Sequence, residues 1–243
     1  MVPSRRIFLA LPFASGGGFS LAHAQTTANL SVLQIGAAAI RVPSPVDFVE
    51  TSSRAPDVYR MALAYSAGDA RIIAHYVRQT DLKDFESGKK VYFRQFLLVQ
   101  TPRRAEQLSL SQDQFDKLRA GTIAMQSQLA SKLEPRMAAE IERVSKAVTT
   151  TAGASVRINV GEMVPVSIDR DDARALAYSV LATAGATEGT TANTQNMVAS
   201  ASYCFLSGKV VILNAYRVFR SPRDLQENRE LLNKWIAALF AAN

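Results

Sequence analysis

Residues 207–222 read SGKVVILNAYRVFRSP, and residues 87–102 read SGKKVYFRQFLLVQTP. Both stretches begin with Ser-Gly-Lys, carry a valine at the fifth position and an aromatic residue at the tenth, and end with a hydroxyl residue and proline. Runs of Val, Ile, Tyr and Phe favour strands, and a preceding glycine favours a turn. Each stretch therefore predicts a hairpin turn followed by a strand, with Lys89 and Lys209 exposed and both strands in one sheet.

Other short sequences recur upstream of these two stretches in the same order. DARIIAHYV at residues 69–77 matches DARALAYSV at residues 172–180, and an Ile/Val-Gly pair precedes a Val-Pro pair in both regions. Repetition in a fixed order indicates an internal duplication. We predict two halves, at about 30–150 and 155–243, each with three strands followed by a helix.

The local patterns place the strands of the two halves and one insertion in each. We expect strands near 32–42, 70–79 and 90–100 and then near 155–168, 173–183 and 198–219, the last span being a hairpin. Pro56 opens a short helix over residues 56–66. Residues 185–196, GATEGTTANTQN, have the composition of a mobile loop.

Two longer segments have helical periodicity. Ser111 and Gln114 fit a capping box, and apolar residues from Phe115 to Val148 then recur on one helix face, with Pro135 predicted to kink the helix. This face can cover the sheet or dock a partner. A closing helix at 223–240 turns one set of apolar residues inward, namely Leu225, Leu231, Leu232, Trp235, Ile236, Leu239 and Phe240.

These elements predict an α+β fold in which helices cover a mostly antiparallel sheet built from two βββα-type halves. The order of elements, with the closing pattern Ser221-x-x-Asp224-Leu225 through Trp235, resembles the PsbP-like sandwich and a set of uncharacterised exported bacterial proteins. The resemblance implies this fold and an exported protein. It transfers no functional residue to this chain.

Residues 1–24 have the features of a cleavable signal peptide. Arg5 and Arg6 precede a modestly apolar, glycine-containing stretch, and Ala22-His23-Ala24 supplies the small-x-small pattern before a cut at Gln25. Ser4 to Leu9 resembles the twin-arginine consensus; an ordinary secretory leader with two arginines is the alternative. We therefore predict a periplasmic or secreted protein with a single mature domain at 25–243 and no transmembrane segment in it.

The composition sets limits on partners and cofactors. The leader takes two of the 28 basic residues and none of the 21 acidic ones, which leaves a mature net charge of about +5. This charge suits an envelope protein or an anionic surface as partner, and no nucleic-acid motif is present. The only cysteine, Cys204, lies in an apolar run and is predicted to be buried and inert. Since His75 is the only mature histidine, we expect neither a zinc site nor a cofactor.

Three groups of residues are candidates for a site. His75 is the only histidine available as a catalytic base, although a sheet or core histidine explains it as well. The carboxylates Asp169, Asp171 and Asp172, with Glu162 nearby, suit a hard cation or acid–base chemistry, or simply an acidic turn. The arginines Arg217, Arg220 and Arg223, interleaved with Tyr216 and Phe219, suit a polyanion or a solvated strand face.

No catalytic residue is assigned from these patterns. The sequence predicts an exported soluble protein of the cell envelope that binds or assists a partner without catalysis. The alternative is an enzyme with a site between the two halves, using His75 or the cluster of Asp169, Asp171 and Asp172.

Overall fold

A computed structural model of the chain describes residues 30–64, 69–89, 91–126, 128, 156–188 and 191–243. Its strands are β1 (Leu30–Ile35), β2 (Ala38–Pro43), β3 (Phe48–Glu50), β4 (Ala70–Arg78), β5 (Gln95–Pro102), β6 (Val156–Asp171), β7 (Ala175–Glu188), β8 (Thr191–Leu206) and β9 (Lys209–Val218). Its helices are α1 (Pro56–Ala64), α2 (Gln79–Glu86), α3 (Gln112–Gln126) and α4 (Pro222–Ala242), with a 3₁₀ turn at Arg103–Ala105.

The main sheet contains seven strands in the order β3-β4-β5-β9-β8-β7-β6. Every neighbouring pair in it is antiparallel. Strands β1 and β2 form a separate antiparallel hairpin. The predicted α+β class with a mostly antiparallel sheet is therefore confirmed.

Helix α4 and the β1–β2 hairpin cover one face of the sheet. The core between them contains Tyr76 of β4, Leu97 of β5, Leu213 of β9 and Trp235 of α4, all at most 2% exposed. Burying large apolar and aromatic side chains of this kind is the main favourable contribution to folding. This face therefore holds the sheet, the hairpin and the closing helix together.

Helices α1 and α2 cover the other face near β4. Val58 of α1 and Leu82 of α2 pack with Val77 of β4 in a smaller cluster. Further along this face, the ring of Phe115 in α3 stacks on Phe205 of β8 at 5.1 Å. The two sides of the sheet therefore have different environments, since successive residues of a strand point to opposite faces.

Most elements with a strong local signal form where they were predicted. Strand β4, strand β6, the β8–β9 hairpin, α1 and α4 agree with the expected spans to within a few residues at most ends. A strand forms in the span predicted at 173–183 despite its helix-favouring alanines, and it extends to Glu188. The capping box of α3 is present, because Ser111 Oγ accepts from the Gln114 N–H while Gln114 Oε1 accepts from the Ser111 N–H.

The first Ser-Gly-Lys segment was wrongly predicted to be a hairpin turn. Residues 79–86 form α2, and Gly88, with φ of +79°, ends that helix through N–H donation to the Phe85 carbonyl. A glycine just past the last helical residue is a common helix stop. Only the second segment, at Gly208, is a hairpin turn, and the strand expected near 90–100 begins at Gln95.

Lys209 is buried, whereas the sequence predicted an exposed side chain. Its ammonium group donates to the carbonyls of Leu108 at 2.7 Å and Glu106 at 3.1 Å. These carbonyls belong to the segment after the 3₁₀ turn, where they lack helical partners, so a buried cation is stabilised there. Lys89 is exposed as predicted.

Two further predictions need correction, and part of another lies outside the described residues. The expected strand at 32–42 is two strands joined by a turn at Gly36. Most of the expected loop at 185–196 is paired in the β7–β8 hairpin, where Gly185 is opposite Thr194, because threonine-rich polar sequences also suit strands. The predicted helix beyond Gln126 and the Pro135 kink fall outside the described residues.

The predicted equivalence of the two halves is not confirmed. Strand β4 pairs directly with β5, whereas β8 separates β7 from β9, so the strand pairs of the two halves differ. The two strands after the Ser-Gly-Lys segments do lie in one sheet and are neighbours. The tenth-position aromatics of the two stretches, Phe96 and Tyr216, are register partners and stack at 4.7 Å.

Candidate functional site

A cavity of about 500 Å³ lies at one end of the main sheet, between the β2–β3 connection and α4. Its volume is in the usual range for small-molecule sites, about 300–1,000 Å³. The lining comes from the β2–β3 connection, the ends of four strands of the main sheet and one side of α4: Pro43, Ser44, Pro45, Val46, Asp47, Phe48, Arg78, Gln95, Arg217, Glu227, Glu230, Leu231, Lys234, Trp235 and Ala238.

Four neighbouring strands each contribute one side chain to the sheet side of this cavity. Phe48 of β3 is the register partner of Arg78 of β4, and Gln95 of β5 is the register partner of Arg217 of β9. Arg78 and Gln95 each lie one residue beyond the Val77–Phe96 register pair. Strand pairing therefore brings an aromatic ring, a guanidinium, an amide and a second guanidinium side by side.

Gln95 is the most unusual residue of this row. It is only 3% exposed, and its Oε1 accepts a hydrogen bond of 2.9 Å from Arg78 Nε. Because Arg78 Nε can only donate, the amide oxygen is assigned to this bond and the amide nitrogen is left for another partner. That nitrogen, Nε2, is buried and has no hydrogen-bond partner among the residues that the structure describes. An unsatisfied buried donor costs about 1–3 kcal/mol.

The two arginines of the row differ in their charge balance. Arg217 pairs with Asp224 at 3.0 Å and with Glu227 at 2.5 Å, so its charge is compensated within the protein. Hydrogen bonds to Arg223 and the charge of Arg217 lower the pKa of Glu227. Arg78 instead lies over the Phe48 ring, 5.4 Å from its centroid, and no carboxylate of the described residues pairs with it. The row therefore carries one uncompensated positive charge.

Trp235 forms an apolar wall of the cavity and is held in place from two sides. Its Nε1 donates a 2.8 Å hydrogen bond to the Pro43 carbonyl, and its ring contacts Tyr76 edge to face at 5.7 Å. An indole N–H that is buried needs such an acceptor. The hydrogen bond also ties the β2–β3 connection to α4, so the two sides of the cavity are fixed relative to each other.

The position of α4 follows from a strong helix start. Pro222 occupies the first helical position, and Ser221 and Asp224 form a capping box. The cavity-lining residues from Glu227 to Ala238 then recur at steps of three or four, which places them on one side of the helix. Of these residues, Leu231 and Trp235 also pack on the core that buries α4 on the sheet.

Charged side chains of both signs surround the opening. Asp47, Glu230 and Lys234 are exposed, and Val46 between the prolines and Asp47 is 73% exposed. The lining as a whole contains three basic and three acidic side chains. The cavity is thus formally neutral, with Arg78 as the cation at its base.

His75 lies in β4 as predicted, but away from this cavity. It is buried on the face covered by α1 and α2, where Nδ1 is 2.9 Å from Thr51 Oγ1 and the ring is near Phe96. Burial lowers its pKa to about 4. The geometry favours the interpretation of His75 as a core histidine with a hydroxyl partner.

The carboxylates Asp169, Asp171 and Asp172 do not converge on one point. Asp169 is buried and accepts from Ser167 and Ser179, with Arg229 Nε at 3.0 Å, while Asp171 pairs with Arg119 at 2.6 Å. Asp172 accepts from the N–H groups of its own turn and pairs with Arg170. Burial opposes ionisation of Asp172, but these donors outweigh it and lower its pKa. The side chain of Glu162 lies outside the described residues.

The predicted basic surface is largely compensated by acids of α4. Arg217 and Arg223 both pair with Glu227, and Tyr216 stacks on Phe96 within the sheet. Arg220 and Phe219 follow β9 and precede the helix. Two of the three arginines are thus neutralised locally, which favours the solvated-face interpretation over a polyanion site.

Cys204 is fully buried between β7 and β9, as predicted. Burial raises the pKa of its thiol to about 12, so the reactive thiolate is scarce near neutral pH. Within the described ranges, no three His, Cys, Asp or Glu side chains are grouped to hold a metal ion. Nor does any helix of those ranges combine the length and apolar content needed to span a bilayer.

Sequence reasoning singled out neither Arg78 nor Gln95, and it assigned Arg217 to a different site. The available signal was the polar residue at each end of an apolar strand: Arg78 closes β4 and Gln95 opens β5. Strand ends are often polar, so this signal has little specificity without the pairing. The leader residues Arg5, Arg6, Ala22, Ala24 and Gln25 lie outside the described residues.

Comparison with known proteins gives little further information. No protein-family model matches the chain, and no curated protein matches it. Two solved structures are similar to it, the Ran-binding protein Mog1p of Saccharomyces cerevisiae and a single-residue mutant of protein Mog1. Each is 11% identical over 88% of this chain and 94% of that chain, with a TM-score of 0.34. Such a score establishes neither a shared fold nor a shared function.

Proposed function

We propose that this chain is an exported protein of the cell envelope that binds a small ligand in the cavity beneath α4, without catalysing a reaction. The observation that carries the binding proposal is the buried amide nitrogen of Gln95, which has no partner in the described part of the chain and lies beside the uncompensated Arg78. Export is supported by the leader at 1–24, with its arginine pair and its small-x-small cleavage pattern.

The composition of the cavity supports binding over catalysis. Its lining contains no histidine or cysteine, and its one hydroxyl group belongs to Ser44. Arg217 and Glu227 neutralise each other, and Gln95 has no proton to exchange. Fixed hydrogen-bond donors on an apolar wall are typical of ligand recognition.

The alternative, an enzyme that uses His75 or the cluster of Asp169, Asp171 and Asp172, has less support, because neither group lines the cavity. His75 lies in β4 on the face covered by α1 and α2, whereas Asp169 lies in β6 beneath α4. Five strand spacings separate β4 from β6 in the sheet, roughly 24 Å. An active site could therefore use His75 or the Asp169 cluster, but not both.

We also propose a more specific fold class for this chain and a further class of partner. We propose a PsbP-like sandwich with an ancestral duplication, supported by the order of the repeated sequences and by the pairing of Phe96 with Tyr216 at their equivalent positions. The mildly basic mature chain also suits an envelope protein or an anionic surface as a further partner.

Export is tested by replacing the arginine pair in a bacterium with a working twin-arginine pathway. We expect Arg5→Lys/Arg6→Lys to leave the precursor in the cytoplasm, and the wild type to appear in the periplasm with Gln25 as its first residue. Arg54→Lys, in the mature chain, is the control and should be exported normally. Retention of the wild type in the cytoplasm would contradict the proposal; normal export of the double variant would indicate the general secretory route.

Binding is tested with the mature protein and a panel of small anions, cations, sugars and neutral amphiphiles. A ligand at about one hundred times its Kd should raise the Tm by about 5–10 °C. Ala238→Trp, which adds bulk to the cavity wall, should bind it weakly while folding normally. The proposal fails if no compound stabilises the wild type, or if the active compounds stabilise both proteins equally.

A further inference from the structure

We infer that the cavity takes a monocarboxylate with an apolar body, whose carboxylate is held by Gln95 and Arg78. This inference rests on the proposed function and specifies its ligand class. It is independent of export.

Arg78 and Gln95 present hydrogen-bond donors at the cavity. Arg78 Nε already donates to Gln95 Oε1 at 2.9 Å, which locks the guanidinium and the amide against each other. The remaining donors are the amide Nε2, buried and without a partner, and the terminal nitrogens of Arg78, which make no ion pair with the described residues. Planar guanidinium and amide groups match the planar, two-oxygen geometry of a carboxylate.

The charge balance favours one negative charge over two. Arg78 is compensated by no carboxylate of the described residues, and a monoanion would neutralise it. Around it, Glu227 is already paired with Arg217, and Asp47 and Glu230 are exposed at the opening. Besides Arg78, the exposed Lys234 is the one cation of the lining outside the Arg217 pairs, and it faces two exposed acids, Asp47 and Glu230. The second charge of a dianion such as a phosphate monoester would lie near these acids, where like charges repel.

The rest of the ligand should be largely apolar, because aromatic and aliphatic side chains form much of the remaining lining. Phe48 and Trp235 are buried aromatic residues, and Leu231 and Ala238 are partly buried on the same side of α4. A hydrocarbon chain or ring placed there would be removed from water at a gain of about 25 cal/mol per Å². An amphipathic carboxylic acid fits both parts of the cavity: its carboxylate can contact Gln95 and Arg78, and its hydrocarbon part can contact the apolar side chains.

Trp235 provides a direct readout, since it is the only tryptophan of the chain and lines the cavity. The probes are sodium decanoate, decanol and decyl phosphate, titrated below their aggregation limits into the mature protein while its fluorescence is followed. We expect decanoate to change the emission and to bind at least about ten times more tightly than either other probe. Equal or tighter binding of decanol or decyl phosphate would overturn the inference.

Substitutions locate the carboxylate. Gln95→Leu should weaken decanoate binding about 10- to 100-fold and leave decanol binding unchanged, because a hydrogen bond to a charged group is lost. Arg60→Gln is the matched control, since Arg60 lies on α1, outside the cavity, and should bind like the wild type. If Gln95→Leu does not fold, Gln95→Glu serves in its place: its carboxylate can pair with Arg78 and should abolish decanoate binding.

The outcomes separate the inference from the proposed function. If a folded Gln95 variant binds decanoate as tightly as the wild type does, the proposed contact between Gln95 and the carboxylate is wrong. If the compound panel finds a cavity ligand and decanoate does not bind, the inference is wrong and the proposed function stands. If no panel compound binds and decanoate does not either, both are wrong.

Discussion

His75 is held in the sheet as a neutral imidazole, and this has a consequence for stability. The unfolded chain has the ordinary histidine pKa of about 6.5, whereas the folded pKa is about 4 because of burial. The unfolded state therefore takes up a proton first as the pH falls. Stability is at its full value above pH 6.5 and is lost progressively between pH 6.5 and pH 4.

We expect the free energy of unfolding to fall by about 2 kcal/mol between pH 7 and pH 5 through this residue. Denaturant titrations at pH 7 and at pH 5 measure this change in the free energy of unfolding. Over this range Asp and Glu side chains stay largely ionised in both the folded and the unfolded state. His75→Gln keeps a polar group near Thr51 and should remove most of the difference. A variant with the same pH dependence as the wild type would show that another group is responsible.

At the scale of single residues, the sequence predicted what depends on near neighbours in the chain. The apolar run around Cys204 indicated its burial, and the strand pattern placed His75 correctly. Gln95 and Arg78 were not identified from the sequence, because their importance comes from a contact between two strands. The two residues are 17 positions apart in the chain. The sequence offers no rule that would mark an isolated glutamine as a buried, half-satisfied amide.

At the scale of elements, two turn glycines with similar backbone angles have different surroundings. Gly36 joins β1 to β2 with φ of +55°, and Gly88 ends α2 with φ of +79°. An added Cβ at Gly36 would overlap the backbone oxygen of Glu106, whereas at Gly88 it would meet no atom within 4 Å. The side chain of Lys209 also reaches the Gly36 turn and donates to the Glu106 carbonyl.

We expect Gly88→Ala to cost about 1–2 kcal/mol, the penalty of a positive φ for a residue with a Cβ. Gly36→Ala should cost about 2–4 kcal/mol, since overlap with the main chain is added to the same penalty. Chemical denaturation of the two variants beside the wild type gives the comparison. Equal costs would mean that the Gly36 turn adjusts freely, and that the packing of residues 106–108 against it is loose.

Elements with their own start and stop signals were predicted best. Helix α4 has a proline at its first position and a capping box, and α1 and the start of α3 have comparable signals. Helix α2 was missed because Gly88 was interpreted as a hairpin turn, although a glycine at this position is also a valid helix stop. The repeat was the better guide at residues 173–183, where the alanines favour a helix locally and a strand forms.

At the scale of the whole molecule, the order of the strands in the sheet could not be predicted from the sequence. The repeat predicted that two strands share a sheet, and β5 and β9 do, but it could not show that β8 would lie between β7 and β9. Antiparallel neighbours far apart in the chain are selected by the fit of side chains over the entire core. Sequence periodicity records only which face of each strand is apolar.

The two halves share one core, and this determines whether either can fold alone. Strands β5 and β9 pair across the boundary of the halves, and α4 packs on both sides of it: Trp235 contacts Tyr76, while Asn228 donates to Ser200 Oγ at 3.0 Å. A fragment of residues 155–243 would expose the edge of β9 and much of α4. A fragment of residues 30–150 would lose the helix that covers β4 and β5.

Each fragment would thus bury too little apolar surface to offset its chain entropy. We expect neither to show cooperative thermal unfolding by circular dichroism when expressed alone. Refolding the two together is the control: they should associate and recover much of the native spectrum, because the β5–β9 pairing and the α4 contacts can then form between fragments. A single fragment that unfolds cooperatively as a monomer would show that the core is divisible at the boundary, and that α4 needs only one of the two halves beneath it.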